Sequence, residues 1–219
     1  MATTKMTFKT PLLPLSWVSI KGQGKLKMNA DDNGEPENYN YTATVTYPDE
    51  ASMKLDKTKF DKFWRENKPS GCTKQAYTMF KPEMEPDLDS AGKEQFDEDD
   101  ALIKKETGRW LLSAKTLTHW PKDGKQNIVK VLRANGNPLD LGEAEIGNDS
   151  IGIIHGSVGI NKYSGNEGLA FYLNAVQLKK FVAYEGPDNV EADDLGDDEG
   201  LDEVEVDAAD VSKEDLPDV

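Results

Sequence analysis

Aromatic and basic side chains lie next to each other in several stretches of this sequence, and together they could bind a polyanion that carries stackable rings. Arg109 precedes Trp110, and the loop HWPKDGKQN holds Trp120 close to Lys122 and Lys125. Non-sequence-specific binding of single-stranded nucleic acid uses cations for the phosphates and π faces for the bases. These stretches therefore predict a nucleic-acid-binding surface.

The candidate contact residues fall into a basic class, expected to bind phosphates, and an aromatic class, expected to stack on bases. They are Lys25, Lys27, Tyr39, Tyr41, Tyr47, Arg109, Trp110, Lys115, Trp120, Lys122, Lys125, Lys130 and Arg133. Trp120 is expected to be exposed, because a polar turn offers little to bury it. Core and stacking roles both stay open for Trp110 and the three tyrosines, whereas Trp17 and Trp64 are assigned to the core.

Catalytic and metal-binding residues form no comparable pattern. His119 and His155 are the only histidines and lie 36 positions apart, and Cys72 has no partner at the spacing of a zinc ligand. The segment from Asn29 resembles a calcium loop at first, but Asn40 stands where a bidentate Glu is needed, so a polar turn is preferred. We expect no metal, no cofactor and no enzymatic activity, with a hydrolase that uses unrecognised carboxylates as the weakest alternative.

Cysteine usage and hydropathy indicate the setting of the protein. One cysteine excludes an intrachain disulfide and predicts a reducing, intracellular environment. The sequence has no run of about 18 apolar residues and no pattern of a cleaved export signal. We therefore expect a soluble protein that is not exported and does not bind a membrane.

Negative charge is concentrated in two segments. Residues 185–219 contain 16 acidic residues against Lys213, which equals the net charge of −15 of the whole chain. Residues 82–100 add nine acids against Lys93, so the rest of the chain has a net charge of about +8. The composition predicts a disordered acidic tail at 185–219 joined to a folded domain at 1–184, which has balanced charge as a whole and is basic outside residues 82–100.

A tethered polyanion can compete with nucleic acid for a cationic surface, because it resembles a phosphate backbone. The acidic tail is therefore expected to compete with the nucleic acid and to offer a handle for other proteins. The rival interpretation is an acidic interaction protein, a DNA mimic or a chaperone, whose tail binds basic proteins and whose folded domain binds no nucleic acid.

Short strands outnumber helices in the pattern of the sequence. The stretch NYNYTATVTY alternates with period two and predicts a strand, preceded by GKLKM across a polar turn. Phe60, Phe63 and Trp64 at i, i+3 and i+4 predict one helix within residues 55–67. Further strands are predicted at RWLLSAKTL, QNIVKVLRA, IGIIHGSVGI and GLAFYLNAVQLKKFV.

This element count favours a mainly β fold, a five-stranded barrel of the oligonucleotide/oligosaccharide-binding (OB) type with one helix and loop insertions. Internal glycines in the strands are consistent with the bends or bulges of a small barrel. An immunoglobulin-like sandwich is the alternative, but it offers no place for the helix.

The segment GLAFYLNAVQL resembles the closing strand of OB-fold single-stranded DNA-binding proteins of bacteriophages, in which an acidic C-terminal tail follows. The upstream GNDSIGIIHGSVGINKYS is similar to the glycine-rich strand that precedes it in that family. This resemblance implies a protein of phage replication, recombination and repair that coats single-stranded DNA in the cytoplasm of an infected bacterium. It implies recruitment of replication proteins through the tail, and it leaves a homodimer open.

Overall fold

The computed structural model describes residues 5–27, 30, 32, 34–72, 75, 79–163, 166–184 and 192–193. The predicted acidic tail at 185–219 lies outside these residues, apart from 192–193. The strands and helices are β1 Lys5–Lys9, β2 Leu13–Ser19, β3 Lys25–Leu26, a 3₁₀ helix Pro36–Asn38, β4 Tyr39–Tyr47, α1 Glu50–Asn67, β5 Phe80–Pro86, β6 Lys104–Leu117, β7 Lys130–Leu132, β8 Glu145–Ile146, β9 Ile151–Tyr163, β10 Asn166–Tyr184 and β11 Ala192–Asp193.

Five strands form a closed ring in the order β2, β4, β6, β10, β9 and back to β2. The pairings are antiparallel except the one between β6 and β10, where Lys115 and Tyr172 are parallel partners. Outside the ring, β1 pairs with β9, and β7 pairs with the part of β10 that follows Tyr172. The ring and the single long helix confirm the predicted mainly β, OB-like fold and not a two-sheet sandwich.

Alternation along β4 divides it into an inner and an outer row, because successive side chains of a strand point to opposite faces. The inner row is the core row Tyr39, Tyr41, Ala43, Val45 and Tyr47, all buried. The outer row consists of Asn40 and three threonines, which form the middle of the outer wall of the barrel. The strand predicted from the sequence is therefore present, with its aromatic face inside.

Helix α1 covers one end of the barrel. The ring of Phe60 packs edge-on against Phe8 and Phe80, with centroids 4.9 and 5.0 Å away. The helix begins at Glu50, earlier than the predicted residue 55, because the side chain of Asp49 accepts the backbone N–H of Ser52 at 2.8 Å as an N-cap. No helix in the described ranges is long and apolar enough to span a membrane.

Glycine in β9 permits a close approach to β10. A Cβ at Gly156 would lie 2.2 Å from the backbone oxygen of Tyr172 and 2.6 Å from a ring carbon of Phe171. Only a residue without a side chain fits there. The glycine-rich pattern of this strand thus allows tight packing of β9 against β10, the longest strand of the ring.

The acidic segment at 82–100 belongs to a hairpin that extends beyond the barrel, which we call the acidic arm (residues 82–106). Its base is the β5–β6 ladder, and the pairing continues outward from the bond between the N–H of Asp87 and the carbonyl of Ile103 at 2.9 Å. The carboxylates near the base have cationic partners, since Lys105 lies 3.7 Å from Glu85 and 3.5 Å from Asp87. The predicted insertion is therefore an ordered ribbon.

Candidate nucleic-acid interface

Carboxylates are almost absent from the wall of the barrel. The five ring strands contain two of the chain's 41 acidic residues, Glu106 and Glu167. Glu106 lies on the acidic arm, and Glu167 lies at the start of β10. The outer wall between them consists of hydroxyl, amide, small, basic and apolar side chains, which is a composition that a polyanion tolerates.

The outer faces of β2, β4 and β6 form a low surface of hydroxyl groups. Ser16, Thr44 and Ser113 are register partners across these three strands, and the hydroxyls of Thr44 and Ser113 are 2.9 Å apart. The next row consists of Ser19, Thr42 and Lys115. Thr42 and Thr44 are buried at the centre of these rows, and Lys115 is their one long, exposed side chain.

Three lysines lie on this side of the barrel, and we call the surface that they define the lysine face (Lys25, Lys81 and Lys115). Lys25 is the partner of Asn40, and Lys81 is the partner of Leu111, so both side chains share the outer face with Lys115. Burial, with repulsion from Lys81 and Lys25, holds the pKa of Lys115 below its ordinary value. In the part of the chain that the structure describes, none of the three forms an ion pair with a carboxylate.

Trp17 lies at the β2 edge of the lysine face and is 49% exposed, which corrects its assignment to the core. Its φ of 48° is in the left-handed region that bulky residues rarely adopt. Asn148 Oδ1 accepts its N–H at 3.0 Å, and its carbonyl accepts the hydroxyl of Thr42 at 3.2 Å. Thr42 is the partner of Lys115, so Trp17 is two strand spacings, about 10 Å, from this lysine.

Trp120 is 50% exposed, as expected from its polar turn. Its N–H donates to the carbonyl of Lys125 at 2.8 Å, which makes a tight hairpin with Lys122 at its tip. The hydroxyl of Thr118 donates to the carbonyl of Pro36 at 3.0 Å and fixes this loop beside the start of β4. The loop therefore places Trp120, Lys122 and Lys125 at the Lys25 end of the lysine face.

The three tyrosines of β4 lie in the core. The hydroxyl of Tyr47 donates to Asp56 Oδ2 at 2.8 Å, and that of Tyr41 donates to the carbonyl of Gly22 at 3.1 Å. Tyr39 donates to Asp32 and is also buried. Since their rings present no face to solvent, we remove all three from the set of residues that can stack on a base.

Arg109 and Trp110 have structural partners. Arg109 Nε lies 2.5 Å from Glu83 Oε2 at the base of the acidic arm, so its charge is largely neutralised there. Trp110 is half-buried and packs against the hydrophobic core. The structure therefore does not bring this pair to the lysine face as a phosphate and base contact.

The remaining predicted cations lie at different places. Lys27 donates to the carbonyl of Glu37 in the turn that precedes β4. Lys130 is exposed on β7, and Arg133 follows that strand, so both lie beyond the parallel β6–β10 pair. Lys81 and Trp17 were not among the predicted contacts, although the structure places both beside the predicted Lys25 and Lys115.

No sequence model of a known family matches the chain, and no curated protein matches it by sequence. Among solved structures, gp2.5, a single-stranded DNA-binding protein encoded by bacteriophage T7, is similar with a TM-score of 0.50 at 15% identity, covering 84% of this chain and 92% of that one. The single-stranded DNA-binding protein from bacteriophage Enc34 in complex with ssDNA has a TM-score of 0.47 at 16% identity, covering 86% and 88%. The chain shares its fold with the bacteriophage T7 protein.

Proposed function

We propose that this chain is a non-enzymatic protein that binds single-stranded DNA without sequence preference. The observation that carries the proposal is the outer wall of the barrel in a protein of net charge −15. This wall combines an exposed tryptophan, almost no carboxylate and three lysines that have no ion-pair partner among the described residues. A surface that only kept the protein in solution would not need to exclude the commonest charged groups of the chain. A wall that binds phosphates would need to exclude carboxylates, because they repel the phosphates.

The lysine face suits an unpaired strand better than a duplex. Lys25, Lys81 and Lys115 attract phosphates, while Trp17 offers a ring at the β2 edge of the face and Trp120 offers one at its Lys25 end. Stacking on an aromatic ring requires a base that has left its neighbours, which a single strand provides without the cost of opening a duplex. Contacts of lysines with phosphates and of aromatic rings with base faces do not distinguish sequences.

The biological setting follows from the fold as a further part of the proposal. The T7 protein of the same fold is described as a single-stranded DNA-binding protein. Together with the strand GLAFYLNAVQL and the acidic C-terminal segment, this likeness supports a role in phage DNA replication, recombination and repair in the cytoplasm of an infected bacterium.

A competition experiment tests the function. We expect the full-length protein to bind a fluorescent single-stranded oligonucleotide, and unlabelled single strands to displace it far better than duplex of equal length. The logarithm of the binding constant should fall with the logarithm of salt by about 0.7 per phosphate neutralised. Equal displacement by duplex would overturn the proposal. Absence of any binding would favour the acidic DNA mimic or chaperone.

The acidic tail is proposed to compete with DNA for the barrel and to recruit replication proteins. β11, Ala192–Asp193, pairs with Phe181 and Val182 on β10, which brings the beginning of the acidic segment to the barrel. The 26 residues that follow can reach about 90 Å if fully extended, enough to reach the lysine face. Their charge opposes that of the lysines.

Removing the tail should tighten DNA binding. A tethered segment has an effective concentration on the order of millimolar, so a tail with a dissociation constant of about 0.1 mM for the barrel would weaken DNA binding about tenfold. We expect truncation after Gly186 to raise affinity several-fold at low salt, with a smaller gain at high salt. Fluorescence titrations at two salt concentrations measure this change.

A full-length control replaces the acids of 194–219 with their amides, which keeps the chain length while removing the charge. It should show the same gain as the truncation. Identical isotherms for all three proteins at both salt concentrations would mean that the tail does not compete with DNA.

A further inference from the structure

A second group of cations lies on the barrel wall across the parallel β6–β10 pair. Tyr172 is the direct partner of Lys115, so its ring begins where the lysine face ends. The outer rows of β10, β9 and β1 continue from there, with Tyr172, Ser157 and Thr7 as partners in one row. We call this surface the seam patch, defined by Lys5, Lys9, Lys130 and Tyr172.

Register places the three lysines around the tyrosine. Lys5 Nζ lies 5.1 Å from the centroid of the Tyr172 ring. Lys9 and Lys130 lie at the two ends of one row across β1, β9, β10 and β7. His155 and Ala175 are the register partners between them. The three lysines are exposed, and none has an ion-pair partner among the residues that the structure describes.

The floor of the patch is low near the ring of Tyr172. Ser157 is its partner on β9, and Gly159 lies below the ring edge, where a Cβ would be 3.2 Å from Tyr172 Cε2. Small residues at both positions keep the floor low, and the Lys5 ammonium group lies over the ring. A flexible ammonium group over a ring is easily replaced by another flat or cationic partner.

His155 is held in place at the β1 side of the patch. Its Nε2 is 2.8 Å from Gln177 Oε1, and the Gln177 amide donates to the carbonyl of Ala134 at 2.6 Å. Burial, with the nearby charge of Lys9, lowers the pKa of His155, while the hydrogen bond with Gln177 acts in the opposite direction. The imidazole therefore contributes a fixed polar group between Lys9 and Lys130.

We propose that the seam patch is a second subsite for single-stranded DNA, continuous with the lysine face through Lys115. A base stacks on Tyr172 and displaces Lys5, and Lys5, Lys9 and Lys130 bind the phosphates that follow. The strand then crosses the barrel wall from the lysine face over the β6–β10 pair toward β1. This inference rests on the proposed function, because it extends the same bound strand.

Oligonucleotide length separates the two subsites. Sites of OB folds range from about 4 to about 16 nucleotides, so oligothymidines of these two lengths are suitable probes of the full-length protein. In Tyr172→Ala, we expect the affinity for the longer probe to fall between about 5-fold and 150-fold, the range for one stacked base, while the shorter probe binds as to wild type. In Lys5→Ala/Lys9→Ala/Lys130→Ala, the salt slope for the longer probe should fall by about 2.

Matched variants control for charge and for loss of a tyrosine. Lys62→Ala/Arg65→Ala/Lys68→Ala removes three exposed cations from α1 and its C-cap, and Tyr184→Ala removes an exposed tyrosine at the end of β10. Both should bind the longer probe as wild type does. The lysine variant leaves the ring in place, so it tests the patch even if Tyr172→Ala unfolds.

The outcomes distinguish this inference from the proposed function. The wild-type protein could bind both probes while the seam-patch variants bind the longer probe as tightly as wild type or more tightly. That result would overturn the second subsite and leave the proposal for the lysine face intact. Failure of the wild-type protein to bind either probe would overturn the proposed function itself.

Discussion

Replacing Lys25, Lys81 and Lys115 together with alanine is expected to lower the affinity for single-stranded DNA about 100-fold at about 0.1 M salt. Each lysine that neutralises a phosphate contributes about 0.7 to the slope of log K against log salt, so three contribute about 2. If wild type and variant bind equally at about 1 M salt, a slope lower by about 2 makes the binding constant of the variant about two orders of magnitude smaller at about 0.1 M salt.

The slope is the diagnostic quantity, because a misfolded variant loses affinity without a defined change in salt dependence. Titrations at four or five salt concentrations measure it. The α1 variant Lys62→Ala/Arg65→Ala/Lys68→Ala changes the net charge equally but should keep the wild-type slope. If the two variants lose affinity equally, binding depends on net charge and not on the lysine face.

Trp17→Ala is expected to weaken single-strand binding by about 1 to 3 kcal/mol, the usual contribution of one stacked base. The substitution should not lower the free energy of unfolding much, since the side chain is half exposed and its left-handed backbone is unfavourable for a bulky residue. Fluorescence titration and thermal denaturation measure the two effects separately.

Two replacements of similar size separate stacking from simple apolar contact. Trp17→Phe keeps a π face and should retain much of the affinity, whereas Trp17→Leu should bind like the alanine variant.

Trp17→Gly removes the backbone strain, so it should unfold no more easily than wild type while still binding poorly. Unchanged DNA affinity in the alanine variant, with a melting temperature several degrees lower, would make Trp17 a structural residue.

The sequence predicted the barrel well because its strands alternate or are bounded by glycine, asparagine and proline. The faces of those strands were harder to assign. In β4 every second residue is an aromatic or aliphatic one and the others are hydroxyl-bearing, and the pattern defines two faces without saying which covers the core. The three tyrosines were candidates for both the core and base stacking, and the structure places their rings in the core and satisfies their hydroxyls inside.

Trp17 and Lys81 were missed for different physical reasons. A register shift between Ser16 and Ser19 gives β2 one extra residue relative to β4, so Trp17 leaves the inward row that its neighbours Leu15 and Val18 occupy. Bulges of this kind depend on contacts distant in sequence, here with Asn148. Lys81 directly precedes the acidic segment, and only its pairing with β6 shows that it faces Lys115 and not the acids.

The near absence of carboxylates from the ring strands has a consequence for how this sequence can diverge. Exchanging serine, threonine, asparagine or glycine among themselves on the outer rows changes little electrostatically, so many sequences can preserve the same wall. A single aspartate at Thr44 or Ser113 would place a negative charge within two residues of Lys115 along or across the strands, where it would compete with phosphate for that lysine. Exchanges among small neutral residues are therefore tolerated in this wall, whereas acidic substitutions are not. Proteins with little sequence identity can retain such a wall.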